Sequence, residues 1–259
     1  MRFLARMTST TLLTSMLTRA RASSSARALS SAASAVTATD LFSSWAREGL
    51  DERMEKGHAL AVNEMLAKSR QYFPVNYNFL DIGCGNGWVA RAESAHEACH
   101  SAAGVDGAVD MIEKAKSLIY QGDKAIENSE TNPAFYHSDL LSFHPTTKYD
   151  VAFSMEVLYY LSEYQVPQFL SSLSKNVVSK NGLLVFGIDH YLENEDSHSW
   201  SAIHNTPMLL WSEERWSDEV TKAGFEVLHQ WRSGKRENNP EGTMSIVARN
   251  IGEDVRDEL

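Results

Sequence analysis

Residues 79–91 read Phe-Leu-Asp-Ile-Gly-Cys-Gly-Asn-Gly-Trp-Val-Ala-Arg, and they are the most informative stretch of the chain. A short apolar run leads into a loop with glycine at positions 83, 85 and 87, and apolar residues at helical spacing follow. This pattern predicts a buried strand, a tight turn and the start of a helix. Glycines let a ligand approach bare backbone N–H groups, the helix N-terminus favours a carboxylate, and Asp81 can hold an ammonium. The stretch therefore predicts a site for a ligand that carries both groups, as an amino acid does.

The spacing of these glycines separates two classes of nucleotide-binding protein. Dinucleotide dehydrogenases favour Gly-x-Gly-x-x-Gly, whereas this chain has Asp-x-Gly-x-Gly-x-Gly. In this feature the chain resembles the class I S-adenosylmethionine-dependent methyltransferases, whose first motif has the same form. The resemblance implies S-adenosyl-L-methionine as the cofactor, bound by Asp81, Gly83, Cys84, Gly85 and Gly87. For the loop taken alone, a glycine-rich turn without a ligand is the alternative, and for Cys84 the alternative is packing.

Three acidic residues farther along the chain lie in register with this motif. Asp106 ends the apolar strand predicted at 102–107, 25 positions after Asp81, which is close to the length of one strand–helix–strand unit. An acid at that place can accept both ribose hydroxyls. Asp139 follows a third strand, and the resemblance implies that it accepts a hydrogen bond from the adenine amino group, with a helix cap as the alternative. Asp150 enters a fourth apolar strand, which is another feature of the resembled family.

The predicted cofactor site also takes in neighbours of these acids and strands, namely Gly107, Met111, Leu140 and Met155. Met111 can sit beside the adenine, although packing in the core is the favoured interpretation for this residue taken alone. Four registered segments across residues 79–161 argue against a chance match with the family.

The resemblance implies a Rossmann-like α/β fold. Its sheet is doubly wound and seven-stranded, mostly parallel, and closed by a terminal antiparallel hairpin. The patterns along the rest of the chain agree with this fold. We expect helices at 41–69, 163–180 and 212–223, a helix stop at Asn181-Gly182 before a fifth strand at 183–188, and hairpin strands at 224–231 and 244–249.

The methyl acceptor is expected beyond the carboxyl ends of the fourth and fifth strands, where ligands of open α/β sheets lie. The candidate catalytic residues there are Glu156, Tyr159, His190 and Tyr191. A hydroxyl or ammonium acceptor needs a base, for which His190 and Glu156 are the candidates, whereas other acceptors depend on the aromatic residues. The helix at 41–58 and a lid at 189–211 are expected to cover the pocket, with a solvated loop as the alternative for the lid.

The charge of the chain limits its substrates. The whole chain carries −10, and residues 1–39 hold five arginines and no acid, so residues 40–259 carry −15. Because such a surface repels phosphate backbones, nucleic acid is not the expected substrate. We expect a small-molecule methyl acceptor as the partner. A protein or RNA methyltransferase, and a non-catalytic S-adenosylmethionine-binding module, are the alternatives.

Cysteine content and hydropathy exclude further classes of protein. The two cysteines, Cys84 and Cys99, are too few for a disulfide framework or a cysteine metal cluster, and we expect no metal site. No stretch approaches the roughly 20 apolar residues of a membrane span. The sequence carries no signal of an oligomeric state.

Residues 1–39 have the composition of an organelle transit peptide, since they are rich in arginine and serine and free of acids. Residues 12–17 are too short and too polar for a secretory apolar core, which favours a mitochondrial leader over a secretory one, with a plastid leader as the third possibility. A disordered tail without an address is the alternative. The chain ends in Arg256-Asp257-Glu258-Leu259, which is similar to an endoplasmic reticulum retrieval signal and gives that compartment as a further alternative. We expect residues 40–259 to form a single methyltransferase domain.

Overall fold

The computed structural model describes residues 35–121, 132–195, 197, 204–237 and 239–252. Its strands are β1 (Tyr77–Ile82), β2 (Cys99–Asp106), β3 (Ala134–His137), β4 (Tyr149–Met155), β5 (Val178–Ile188), β6 (Phe225–Ser233) and β7 (Thr243–Asn250). They form one seven-stranded sheet in the order β3-β2-β1-β4-β5-β7-β6. Strands β1 to β5 pair in parallel, and β7 pairs antiparallel with both β5 and β6. This arrangement confirms the predicted sheet and its terminal hairpin.

Helices cover both faces of this sheet. In the described part of the chain they are α1 (Ala38–Glu48), α2 (Asp51–Ser69), α3 (Trp88–Ser94), α4 (Val109–Gln121), α5 (Gln165–Ser172) and α6 (Glu213–Lys222). Helices α2 and α3 pack with Phe79 and Phe153 on one face. Helices α5 and α6 pack with Leu80 and Phe186 on the other face. The central strands are apolar in nearly continuous runs because they are buried on both faces.

The predicted N-terminal helical segment consists of two helices. Helix α1 begins after Thr37, whose side chain accepts a hydrogen bond from the Asp40 N–H at 3.1 Å. It ends at Gly49, where φ is 72°, a left-handed conformation that glycine adopts without strain. Helix α2 begins two residues later, so a sharp turn at Gly49 separates the two helices.

The segment after α5 differs from the prediction. A helix was expected to continue to residue 180 and to stop at Asn181-Gly182, but the helical turns end at Val177 and β5 begins at Val178. Asn181 has a φ of 63°, and the pairing of β4 with β5 shifts in register there. A Cβ on Gly182 would lie 2.8 Å from the carbonyl oxygen of Ser179. The Asn-Gly pair therefore forms an irregularity inside a strand and does not cap a helix.

Several predictions fall on residues that the structure does not describe. These are residues 1–34 of the predicted transit peptide, residues 196 and 198–203 of the predicted lid, and the C-terminal Arg-Asp-Glu-Leu within 253–259. From Val36 onward the described residues form one compact unit. Within the described ranges, no helix combines the length and the apolar character that a membrane crossing requires.

Candidate functional site

The glycine loop between β1 and α3 leaves open space at one position. Gly83, Gly85 and Gly87 all have positive φ, between 51° and 79°. A Cβ on Gly87 would lie 2.4 Å from the ring of Phe135, so this glycine permits close packing. At Gly85 the nearest atom to such a Cβ is the Met111 sulfur, at 4.0 Å. Backbone groups around Gly85 are therefore accessible to a ligand.

A cavity of about 400 Å³ lies beside Gly85. Its walls come from the loop, the ends of β2 and β4, the turn after β3, and the first residues of α1. The predicted cofactor residues that line it are Gly83, Gly85, Asp106, Gly107, Met111, Asp139, Leu140 and Met155. A smaller cavity of about 60 Å³ adjoins the same loop and is lined by Asp81 and Cys84. The structure thus brings the predicted cofactor residues together, and Gly87 alone among them lines neither cavity.

Asp106 joins the loop to the end of β2. Its two carboxylate oxygens accept hydrogen bonds from the N–H groups of Gly85, at 2.9 Å, and Ala108, at 2.7 Å. Burial raises the pKa of the Asp106 carboxyl. Because each oxygen can accept a second hydrogen bond, the carboxylate can also bind hydroxyl groups in the cavity.

Asp139 caps a helical turn and also lines the larger cavity, so it is placed for both of the roles considered from the sequence. Its Oδ1 accepts a hydrogen bond from the Leu141 N–H at 2.9 Å and caps the helical turn of residues 140–142. The residue also lines the larger cavity. A capping residue can therefore present its second oxygen to a ligand.

Asp81 is a buried acid with an unsatisfied oxygen. The residue is 3% exposed, and its Oδ2 has no hydrogen-bond partner among the described residues. Burial, followed by the charge of Asp106, raises the pKa of Asp81 to about 8. A buried acceptor without a hydrogen-bond partner destabilises the folded protein, and a cationic ligand that donates to it would remove this penalty. An ammonium in the small cavity would satisfy it.

Three residues outside the predicted site fix the position of the glycine loop. The Asp51 carboxylate of α2 accepts a hydrogen bond from the Asn86 side chain at 2.9 Å and pairs with the Lys114 ammonium at 2.7 Å. The Asn86 side-chain oxygen accepts a hydrogen bond from the Trp88 N–H at 3.2 Å. Helix α2 thereby ties the loop to α4. In the sequence, Asp51 has only the pattern of an acid in a first helical turn, so no local signal marks this role.

The cover of the larger cavity begins earlier in the chain than predicted. Thr37, Ala38 and Thr39 line the cavity together with Phe42 and with Met54 of α2. The first three belong to the segment that was predicted as transit peptide. Their acid-free composition matches that of the preceding residues, and only the capping role of Thr37 distinguishes them. Within the predicted 41–58 cover, Phe42 and Met54 line the larger cavity, and the wall continues N-terminally to Thr37.

Glu156 is the candidate catalytic residue that reaches the cavity. It has a φ of 60°, which is strained for a residue with a side chain. The side chain is 7% exposed, and its Oε2 accepts a hydrogen bond from the Tyr159 hydroxyl at 2.7 Å. Its Oε1 has no hydrogen-bond partner in the described ranges. Burial, followed by the charge of Asp189, raises the pKa of Glu156 well above its usual value.

The other three candidate catalytic residues do not line either cavity. Tyr159 is buried behind Glu156, and the ring of His190 packs edge-on against it with the centroids 5.3 Å apart. Tyr191 is fully buried, and its hydroxyl donates to the Gly242 carbonyl at 3.2 Å. The structure corrects this part of the predicted pocket, because packing turns Tyr159 and Tyr191 into the core and sets the half-buried His190 ring against Tyr159. Tyr160, adjacent to Tyr159, lines the cavity instead.

The described part of segment 189–211 packs against the body of the protein and lines neither cavity. Trp211 packs on Trp216 of α6 with the ring centroids 4.9 Å apart. The Leu209 N–H donates to the Tyr159 carbonyl at 2.7 Å. Among its described residues, the predicted lid is therefore a packed connection, and α1 covers the site. No group of three or more His, Cys, Asp or Glu side chains within the described ranges is arranged to hold a metal ion.

Comparison with known proteins decides the family of this chain. A family model described as a methyltransferase domain matches residues 27–230. The chain belongs to the class I S-adenosylmethionine-dependent methyltransferases. It is an enzyme of that class with S-adenosyl-L-methionine as its cofactor, as the glycine spacing predicted. A comparison with curated proteins finds no match.

Solved structures share the fold at low sequence identity. A methyltransferase complex with its activator protein from Haloferax volcanii gives a TM-score of 0.69 at 22% identity, covering 82% of this chain and 98% of that one. The N-methyltransferase NodS from Bradyrhizobium japonicum, with bound S-adenosylhomocysteine, gives 0.56 at 19% identity, covering 73% and 85%. Magnesium protoporphyrin IX methyltransferase from Synechocystis gives 0.56 at 15% identity, covering 76% and 84%. Because these identities lie between 15% and 22%, the similarity shows that this chain shares the fold of these proteins and shows nothing further.

Proposed function

We propose that this methyltransferase acts on an oxygen, nitrogen or sulfur atom of a small metabolite. The observation that carries the proposal is the cavity of about 400 Å³ between the glycine loop and α1. Its volume lies within the range of sites that bind small molecules. The net charge of −15 on residues 40–259 also favours a small acceptor over an RNA.

The residues around the cavity suit the parts of S-adenosyl-L-methionine. Asp81 would hold the ammonium group through its unsatisfied oxygen, and the N–H groups around Gly85 would hold the carboxylate. Asp106 would accept the ribose hydroxyls, and Asp139 the adenine amino group, with Met111, Leu140 and Met155 beside them. When bound, the cofactor supplies a methyl group on a positively charged sulfur.

The chain's own contribution to methyl transfer is to orient the acceptor, exclude water and accept a proton. Phe42, Met54 and Tyr160 provide apolar walls that keep water from the reacting atoms. Glu156 follows the last residue of β4 and lines the cavity, where its carboxylate can accept a proton from a hydroxyl or an ammonium. Tyr159 donates a hydrogen bond to the Glu156 carboxylate and holds it in place.

The acceptor class is tested with the full-length protein and methyl-labelled S-adenosylmethionine. The labelled cofactor is incubated with fractions of a cell extract that contain small metabolites, total protein or total RNA. We expect label in the small-metabolite fraction, and expect the Glu156→Gln variant to transfer far less of it. Label confined to protein or RNA would contradict the proposal.

We further propose that the enzyme works in mitochondria, on the basis of the five arginines and the absence of acids in residues 1–39. Residues 1–35, which precede the compact unit, are fused to a fluorescent reporter. We expect the reporter to enter mitochondria, because the potential across the inner membrane draws cationic segments inward. A matched fusion with all five arginines replaced by glutamine is expected to stay in the cytosol. Import of the first fusion into a plastid or the endoplasmic reticulum would contradict this location.

A further inference from the structure

The larger cavity carries charge of one sign. Asp106, Asp139 and Glu156 line it, and within the described ranges no lysine, arginine or histidine does. Asp106 and Asp139 are the two acids that suit the nucleoside of the cofactor. Glu156 lines the same cavity just after β4, together with the apolar side chains of Val157 and Tyr160 and the amide of Gln165. These four residues, which we call the acceptor end, are apolar apart from the Glu156 carboxyl group and the Gln165 amide.

The packing of the fold accounts for only one of the two Glu156 carboxylate oxygens. Glu156 is 7% exposed, its Oε1 has no hydrogen-bond partner in the described part of the chain, and its φ of 60° is strained. Strain and an unsatisfied buried oxygen persist together where function requires them. Tyr159 binds only Oε2, which leaves Oε1 available to a donor.

A second acid increases the negative charge at this end. Asp189, which follows β5, lies within hydrogen-bonding range of the Glu156 carboxyl through its backbone N–H and its side chain, and its charge raises the pKa of that carboxyl. The Thr243 hydroxyl donates to the Asp189 carboxylate and holds it. His58 of α2 interacts with Asp189, but burial lowers the pKa of His58 and so disfavours a charged imidazole that would offset the two acids. Arg236 also acts on His58, and like Asp189 and His58 it does not line the larger cavity.

We propose that the methyl acceptor is an apolar amine, which enters as an ammonium ion and donates a hydrogen bond to Glu156 Oε1. The inference rests on the proposed transfer to a small metabolite and names its acceptor class. An ammonium satisfies the buried oxygen and is attracted by both acids, whereas a carboxylate or phosphate acceptor is repelled by them. The walls formed by Phe42, Val157 and Tyr160 bind the apolar body of the amine.

The chemistry balances with Glu156 as the base. The ammonium gives one proton to the Glu156 carboxylate, which leaves a lone pair on the nitrogen. That nitrogen forms a bond to the methyl carbon as the carbon–sulfur bond breaks, and the electrons of the broken bond stay on sulfur. The products are a methylated ammonium, a neutral thioether and a protonated Glu156. Burial makes Glu156 a stronger base than an exposed carboxylate, which brings it closer to an amine in proton affinity.

The test separates extract metabolites by charge. Full-length protein and methyl-labelled S-adenosylmethionine are incubated with cationic, neutral and anionic metabolite pools from ion exchange at pH 7. We expect labelled product in the cationic pool, with the methyl group on nitrogen. Label in the neutral or anionic pool would overturn the amine inference and leave the small-metabolite function intact. Label in no metabolite pool would overturn both.

Two variants then test the role of Glu156 with the labelled amine. Glu156→Gln keeps the shape and the Tyr159 contact but removes the charge, and its KM for the amine is expected to rise about ten- to hundredfold, the scale of a lost hydrogen bond to a charged group. Its affinity for S-adenosylhomocysteine is expected to stay unchanged. Glu163→Gln removes the same charge from an exposed position nearby and is expected to behave like the parent. Equal KM values for the two variants would overturn the assignment of Glu156.

The pH profile gives an independent readout. Because burial and Asp189 raise the pKa of Glu156, its carboxylate form appears only as the pH rises through that raised value. We expect kcat/KM of the parent to increase with pH on the acidic limb and the Glu156→Gln variant to lose that limb. An identical limb in the variant would mean that another group accepts the proton.

Discussion

Replacing Asp81 with asparagine is expected to abolish useful cofactor binding and, at the same time, to stabilise the unliganded protein. The Asp81 carboxylate lines the small cavity with an unsatisfied oxygen that can bind the cofactor's ammonium, and its loss should weaken S-adenosylmethionine binding by about 3 kcal/mol, or roughly a hundredfold. In the unliganded protein its Oδ2 is buried without a partner in the described ranges, which opposes folding. Calorimetric titration measures the first effect and thermal unfolding the second.

The gain in stability has a defined pH dependence. The folded-state pKa of Asp81 is about 8, whereas an unfolded aspartate titrates near pH 4. The contribution of Asp81 to stability is therefore fully present below about pH 4 and is lost progressively as the pH rises to about 8. Asparagine does not titrate, so the Tm of the variant should match the parent at acidic pH and increasingly exceed it as the pH rises to 8, by about 2–4 °C for each kcal/mol of stability that the parent loses.

The exposed Asp218 offers a control for this experiment. Asp218→Asn removes the same charge far from the glycine loop, and both its Tm and its cofactor affinity should match the parent. An Asp81→Asn variant that binds S-adenosylmethionine as tightly as the parent, or that shows no gain in Tm at pH 8, would contradict the role given to Asp81.

Replacing Gly85 with valine should remove cofactor binding by filling the ligand's space. A side chain at Gly85 meets no protein atom closer than 4.0 Å, so it projects into the open space beside the loop. We expect the affinity to fall by at least about a hundredfold, which corresponds to about 2.7 kcal/mol. The positive φ of Gly85 also makes the substitution strained, and that effect must be separated from the steric one.

Gly49→Val provides the separation. Gly49 also has a positive φ, of 72°, and a Cβ there would meet nothing within 4 Å, but the residue lines neither cavity. Both variants should lose a similar amount of stability in thermal unfolding, whereas only Gly85→Val should lose the cofactor. Loss of binding in both variants would attribute the effect to general strain, and retention in both would place the cofactor elsewhere.

The cofactor end of the site was predictable because local geometry dictates it. Asp81 and Gly85 belong to one strand–turn motif, and the length of a strand–helix–strand unit brings Asp106 to the same edge of the sheet. In the structure the Gly85 N–H donates to Asp106, which joins the two predicted elements directly. No knowledge of distant contacts is needed for this inference.

The acceptor end was less predictable because packing between distant segments orients its side chains. Position beyond a strand end suggested Tyr159 and Tyr191 as well as Glu156, but Tyr191 turns inward to bond Gly242, 51 residues away. Tyr159 lies close to Glu156, as its position three residues later suggests. It does not face the pocket, however, because its side chain is buried and its hydroxyl donates a hydrogen bond to the Glu156 carboxylate. A strand end therefore indicates where a pocket lies, and tertiary contacts select which of its residues face it.

Composition also misplaced the boundary of the structured region. Thr37 and its neighbours share the acid-free composition of the predicted leader, so composition alone assigns them to it. The structure shows Thr37 as the cap of α1 and as part of the cavity wall. Any processing that preserves the site must therefore leave residue 37 and those after it in place.

The most direct test of this account is calorimetric titration of the purified full-length protein with S-adenosyl-L-methionine and, in a parallel experiment, with NAD. The glycine spacing, the unsatisfied Asp81 and the family membership together predict saturable binding of one S-adenosylmethionine per chain, with NAD binding far weaker or absent. Tighter binding of NAD, or no binding of S-adenosylmethionine to a folded protein, would contradict the central claim.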